Sequence, residues 1–229
     1  MLVAGFPTGS LQANCFVLAP EAGGACVVVD PGEGSEQPLD ELLRQHRLDP
    51  VAVLLTHGHF DHIFAVTPVC DGNDIPAWIH PEDRVLLSDP MRAFSADVRQ
   101  LFGGRVQLRE PREVRELADG TSLELAGLSV TVDHTPGHTR GSVTFRSVTD
   151  DGPGVLVSGD TLFAGSIGRT DLPGGDHEQM LTSLRDKILV LDDDTTVLPG
   201  HGPATTIGRE RASNPFLDGL ATPGRPLGL

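Results

Sequence analysis

The chain has 229 residues, enough to bury one large core, and its length suits a single domain over residues 1–229. Its 17 Lys and Arg stand against 32 Asp and Glu, a net charge of −15, which repels nucleic acid and anionic membranes, so neither is an expected partner. The opening Met1–Pro7 has no basic start and is broken by Pro7, so no signal peptide is expected. No apolar run approaches a membrane span, and Cys15, Cys26 and Cys70 form no CxxC pair. An odd number of thiols in an unexported chain predicts reduced, buried cysteines and a cytoplasmic protein.

In chain order, Asn14–Leu18 and Ala25–Val29 read as two strands joined by a turn at Gly23-Gly24. The second ends at Asp30, which either orients a ligand histidine or caps a turn. Leu39, Leu42 and Leu43 at helical spacing, with Asp40 and Glu41 in the first turn, predict a helix over Pro38–Leu48, with His46 at its C-terminal end. Val51–Leu55 is a buried strand, and directly after it come His57, His59, Asp61 and His62. Skipping one residue puts His57 and His59 on the same side of an extended segment. Asp61 and His62 are adjacent and reach one ion together only if the chain turns, so two neighbouring ions are the natural reading.

After His62, the apolar residues Ile63–Val66 and Val69 predict a helix beside these groups, and Pro76–Ile79 reads as a short strand. Pro81, Glu82 and Asp83 open a predicted helix running to Leu87. Ser88–Pro111 has weak periodicity and either lines a cleft or covers a sheet. Period two returns from Val114 to Val132 with turns at Asp119-Gly120 and Gly127, predicting an antiparallel run. That run leads to His134 and His138, the first read as structural. Strands at Ser142–Phe145 and Val155–Val157 follow, the latter leading to Asp160. A helix is predicted over His177–Leu191, and a last strand, Thr195–Leu198, ends near His201. His80 and His177 are expected on the surface.

Four strand ends thus carry His57 to His62, His138, Asp160 and His201. In this order and spacing, from Asn14 to His201, the chain resembles the metallo-β-lactamase superfamily. The resemblance implies an α+β fold, an αββα sandwich with a metal site at one edge of two packed sheets. It also implies two divalent metal ions. One would be held by His57, His59 and His138, the other by Asp61, His62 and His201, and Asp160 would bridge them. Nitrogen and carboxylate ligands suit zinc best, with iron or manganese as alternatives. Metal binding lowers the pKa of water to about 7, so the expected nucleophile is a metal-bound hydroxide, with Asp61 as the catalytic side chain that hydrogen-bonds it.

Within the superfamily, Gly159–Phe163, Gly168–Asp171, Pro199–Gly202 and Asn214–Phe216 make the chain most similar to the glyoxalase II (hydroxyacylglutathione hydrolase) family. The likeness is to the short bacterial type that lacks a C-terminal helical domain. It implies hydrolysis of a small-molecule acyl thioester such as S-lactoylglutathione, with Arg169 as a clamp for a substrate carboxylate. The sequence departs from the longer enzymes in having no tyrosine. Asp171 and Pro203 stand where glutathione-contacting tyrosines are expected, which leaves the thiol carrier open. Persulfide dioxygenases resemble the same motif but use one iron, which here would fall to His57, His138 and Asp160.

Overall fold

Alternation along consecutive buried strands sets the architecture. The computed structural model describes residues 1–101, 108–147 and 153–220. It begins with β1 (Leu2–Thr8), β2 (Ala13–Ala19), β3 (Ala25–Val29), helix α1 (Glu36–His46) and β4 (Asp49–Leu54). Side chains of a strand point alternately to its two faces. Val27, Val29, Ala52 and Leu54 therefore enter one apolar layer, while Cys26, Val28, Val53 and Leu55 enter another. Both faces are apolar because both are covered, as in sheets flanked on each side.

The short helices α2 (Phe60–Ile63) and α3 (Val66–Asn73), strand β5 (Ala77–Ile79), helix α4 (Ala96–Leu101) and β6 (Val114–Glu116) complete the first half. Its six-stranded sheet has the order β1-β2-β3-β4-β5-β6, antiparallel from β1 to β3 and parallel from β3 to β6. The second half contributes β7 (Ser122–Leu125), β8 (Leu128–His134), β9 (Val143–Ser147), β10 (Val155–Gly159) and a small hairpin of β11 (Leu162–Phe163) with β12 (Ser166–Ile167). Helix α5 (His177–Ser183), β13 (Thr196–Pro199), β14 (Thr205–Thr206) and α6 (Ile207–Ser213) follow. This sheet runs β14-β13-β10-β9-β8-β7, with β10 and β13 its one parallel pair.

Three apolar layers hold the sandwich. Val27, Leu54, Val130, Phe145 and Leu198 fill the space between the sheets. Leu39 and Leu43 of α1 and Val66 and Val69 of α3 cover the outer face of the first sheet, and Met180, Leu184, Ile188 and Ile207 that of the second. Each such buried side chain contributes about 1.5–3 kcal/mol by leaving water. The order is helix, sheet, sheet, helix: the α+β sandwich expected.

Several local expectations change. Leu2–Thr8 forms an edge strand that the sequence did not suggest, and Pro7 fits there because an edge strand need not donate from every N–H. The helix expected from Pro81 is only a 3-10 turn over Arg84–Leu87. Asp83, read as an acid in the first turn of that helix, is instead buried. The helix expected to reach Leu191 passes into a π-type turn at Leu184–Ile188. In the Ser88–Pro111 stretch, Pro90–Ala93 forms a further 3-10 turn, and Phe102 lies outside the described residues. Among the described residues no helix is long and apolar enough to cross a membrane.

The three thiols are free and buried. Burial, reinforced by Asp49 and Asp71 respectively, pushes Cys26 and Cys70 up to about 12, and burial with Asp30 raises Cys15 as well. Since the thiolate is the reactive form, the folded protein is expected to show no thiol titratable by a disulfide reagent at pH 8, and three once it is unfolded. Rapid labelling of the folded protein would contradict this packing.

Candidate metal centre

Every candidate ligand lies at or just beyond a strand end on one edge of the sandwich. After β4 the chain bends at Thr56, then turns at α2, where the His62 amide donates to the His59 carbonyl at 3.0 Å. That turn separates the cluster into two groups. His57 and His59 face His138 from the β8–β9 connection, with ring centroids 4.5–4.8 Å apart. Asp61 and His62 face His201, which follows β13. The Asp61 carboxylate lies 3.3 Å from His201 Nε2 and 3.6 Å from His62 Nε2. Asp160, just past β10, reaches both groups. Its oxygens lie 3.4 Å from His138 Nε2 and 3.6 Å from both His62 and His201 Nε2. All seven residues singled out in the sequence are brought together.

The backs of the rings are held, which aims their Nε2 atoms inward. Asp30 resolves in favour of orienting a histidine. Its carboxylate lies 3.0 Å from His62 Nδ1 and accepts from the Thr56 amide at 2.8 Å and the Thr56 hydroxyl at 2.5 Å. His57 Nδ1 lies 3.1 Å from that hydroxyl, so Asp30 fixes one ring directly and a second through Thr56. Asp30 itself sits at φ +49°, a left-handed conformation that aspartate tolerates better than most residues. His138 Nδ1 donates to the Arg169 carbonyl at 2.8 Å and His201 Nδ1 to that of Leu11 at 3.1 Å. A ring that donates from Nδ1 to a carbonyl presents a bare lone pair at Nε2 when neutral, as a metal requires.

Four of the inward-facing atoms lack partners. Nε2 of His57, His59 and His138 and one oxygen of Asp160 are buried without a hydrogen bond. Such orphaned groups cost about 1–3 kcal/mol each unless something binds them. Clusters of three donors within 4.8 Å of one another form at His57, His59 and His138 and at Asp61, His62 and His201. The mixed imidazole and carboxylate set fits divalent cations. Close approach is enforced at Gly200, where a Cβ would fall 2.1 Å from the Asp160 carboxylate.

The remaining sequence expectations divide. His134 stands apart from the cluster, stacked on His80 with centroids 4.1 Å apart, so His80 is half-buried against it rather than free on the surface. His46 lies in the last turn of α1 and His177 begins α5 on the surface, as expected. Arg169 borders the site, but its guanidinium already pairs in a fork with Asp171, both bonds 2.8 Å. Five of the seven candidates, His59, Asp61, His138, Asp160 and His201, line a cleft of about 620 Å³. Leu11, Phe60, Phe94, Phe163, Ile167 and Leu172 make its apolar walls. Sequence reading missed most of these, since single apolar residues in loops carry no periodicity. Phe94 falls within Ser88–Pro111, the stretch left between lining a cleft and covering a sheet, and it lines the cleft.

The proton distribution follows from position. Burial, then neighbouring imidazoles, holds His57 and His59 well below the usual histidine range. His62 is buried too, which alone would lower it, but Asp160, Asp30 and Asp61 together raise it to about 10. Burial opposes the charge on Asp61, yet its hydrogen bond to His201 and the charges of His62 and His201 keep it ionised. Without a cation, therefore, His62 carries a proton at pH 8 that a metal bound at its Nε2 must displace. Metal uptake by the metal-free protein at pH 8 is expected to release at least one proton. The measurement is the dependence of the binding heat on the ionisation enthalpy of the buffer, and a buffer-independent heat would contradict it.

Comparison with known proteins agrees with this geometry. The family model of the metallo-beta-lactamase superfamily matches residues 8–201. An uncharacterized protein of Mycobacterium tuberculosis is 51% identical over 224 residues, covering 96% of this chain and 100% of that one. The hydroxyacylglutathione hydrolase GloC of Haemophilus influenzae is 34% identical over 213 residues, covering 93% and 96%. Among solved structures, the BLEG-1 B3 metallo-beta-lactamase superposes with a TM-score of 0.83 at 41% identity, covering 95% of this chain and 100% of that one. A di-iron-bound form of TTHA1623 gives 0.75 at 39%, covering 93% and 100%. With the matched segment holding all seven inward-facing residues, the chain belongs to the metallo-beta-lactamase superfamily.

Proposed function

We propose that the protein is a metal-dependent hydrolase of acyl thioesters, similar to hydroxyacylglutathione hydrolases, working with two divalent cations, zinc by preference. The single observation that carries this reading is Asp160, whose carboxylate faces both His/Asp groups at once, as a ligand shared by two ions would. The 34% identity to GloC supports the thioester substrate. Paired cations supply Lewis acidity and lower the pKa of water from about 15.7 to about 7.

The chain's own residues do the rest. Asp61, ionised and directed at the centre of the cluster, accepts a hydrogen bond from the attacking water and orients its lone pair toward the carbonyl. His201 is the most exposed ligand and forms the cleft side of the site, with Phe163 edge-on to it at 6.1 Å. Phe60, 6.4 Å from Phe94, closes the other wall, so the acyl group sits against hydrocarbon while water is thinned around the carbonyl. A thiolate leaves without a strong general acid because its conjugate acid has a pKa near 8.5, roughly. That agrees with a cleft whose titratable groups face the metals. Three reduced thiols and the charge of −15 fit a cytoplasmic setting and a small-molecule partner rather than nucleic acid or membrane.

His57, His138 and Asp160 also lie together, the set a mononuclear iron persulfide dioxygenase would use. Retention of Asp61, His62 and His201 in a second group favours hydrolysis. The metal-loaded protein is expected to cleave S-lactoylglutathione, and Asp160→Ala to lose that activity by at least about a hundredfold, followed as thiol release. Oxygen consumption with a persulfide, or opening of a β-lactam ring with thioesters left intact, would replace this reading.

Arg169 supplies a second test. Its pairing with Asp171 holds that carboxyl down at about 2. Both members of the pair are exposed, so solvent screens their attraction and a substrate carboxylate can exchange for Asp171. Arg169→Ala is expected to raise KM for carboxylate-bearing thioesters by about tenfold, the loss of a charge-assisted bond. Asp171→Asn, by freeing the guanidinium, is expected to lower KM several-fold. Equal KM in all three proteins would return Arg169 to a surface role.

A further inference from the structure

Asp83 faces neither ligand group, yet its carboxylate joins the two loops that carry three of the inward-facing histidines. It lies between β5 and the Arg84–Leu87 turn and is 2% exposed. One oxygen accepts from the Gly58 amide at 2.9 Å and from the Thr139 hydroxyl at 2.7 Å, and the other accepts from the Gly141 amide at 2.8 Å. Gly58 separates His57 from His59, Thr139 directly follows His138, and Gly141 comes three residues after it. The first loop leaves the first sheet at β4 and the second joins β8 to β9 in the opposite sheet. One side chain therefore ties the two sheets together behind this ligand group.

The fit on both sides is too tight for a side chain. A Cβ on Gly58 would lie 2.7 Å from Leu86 Cδ1 and 3.0 Å from the Asp83 carbonyl, and one on Gly141 would lie 2.8 Å from Asp83 Cβ. All three donors are uncharged, so nothing but hydrogen bonding offsets the burial of this carboxylate by them. A buried charge is kept in such a place only where its removal leaves several donors stranded. The other ligand group is anchored independently, His62 by Asp30 and His201 by the Leu11 carbonyl.

We propose that Asp83 is a positioning residue for the ion-binding group His57, His59 and His138, setting the separation of its two loops, and that it leaves the group Asp61, His62 and His201 untouched. An asparagine there would turn an amide NH₂ toward at least one donor and let the loops part. Three ligands bind one ion tightly only when held within about 0.5 Å of their geometry, and loss of such an outer partner weakens metal binding about 10–100-fold. The inference rests on the metal-binding reading of the site but not on thioester hydrolysis, because its readout is metal affinity.

The test titrates metal-free protein with Zn²⁺ against a chromophoric chelator, in two backgrounds that isolate the groups. In His201→Ala, where the three-histidine group is left intact, Asp83→Asn is expected to lower Zn²⁺ affinity about 10–100-fold. In His59→Ala, where the other group is left intact, the same substitution is expected to change affinity less than about twofold, as for an uncoupled site. Equal losses in both backgrounds, or no loss in either, would overturn the assignment. If Asp83→Asn does not fold, as judged by circular dichroism, Thr139→Val removes one of the three donors with less disturbance and is judged by the same criterion. Failure of the wild-type chain to take up two ions would refute the paired-ion reading itself, whereas absent thioesterase activity with both ions bound leaves the Asp83 comparison intact.

Discussion

The structure depends on making a crowd of polar heads tolerable at the edge of an apolar sandwich. His57, His62 and His138 are buried to within 2% and His59 to 8%, and their Nε2 atoms converge with two carboxylates in a space where water is scarce. Like-charged imidazolium groups would repel at such range, and neutral ones leave lone pairs without donors. A shared positive charge at the centre solves both problems. Every hydrogen bond behind the rings, from Asp30, Thr56 and the carbonyls of Arg169 and Leu11, serves to hold the lone pairs toward that centre.

The sandwich supplies the stiffness such convergence needs. Ligands come from strand ends in both sheets, so their relative positions are set by how Val27, Leu54, Val130 and Phe145 pack between the layers. Strand ends are more exact platforms than loops alone because neighbouring strands fix them by hydrogen bonds. Where loops must be used, buried carboxylates brace them: Asp30 against the first motif, Asp83 between two loops, and Glu210 against Gly165, Thr205 and Asn214 beside the small hairpin. The sequence Asn14-Cys15 takes part as well, since the Asn14 side chain donates to the Pro199 and Gly202 carbonyls on either side of His201.

Charge and shape divide the labour of recognition. The cleft walls are hydrocarbon, and Arg169 has its charge partly engaged by Asp171. On the proposed reading, a neutral or weakly anionic acyl group would be received by apolar contact, and the negative charge developing on its carbonyl oxygen would be met by bound cations rather than by side-chain donors.

The linear chain made the clustered His and Asp residues and the layers legible. His57-x-His59-x-Asp61-His62 after a run of buried residues, with His138, Asp160 and His201 each near a strand end, states its chemistry in residue type and spacing, because a metal accepts few donor types and strands have a fixed period. The continuous apolar run Val51–Leu55 likewise announced a fully buried strand. Tertiary structure decided everything that depends on partners distant in sequence. Asp83 read as a helix-opening acid and became a buried brace, Asp30 left two roles open until His62 and Thr56 were seen against it, and Leu11, Phe60 and Phe163 became cleft walls. Their roles are set by contacts between segments tens of residues apart, and no local period or turn preference records which segments those will be.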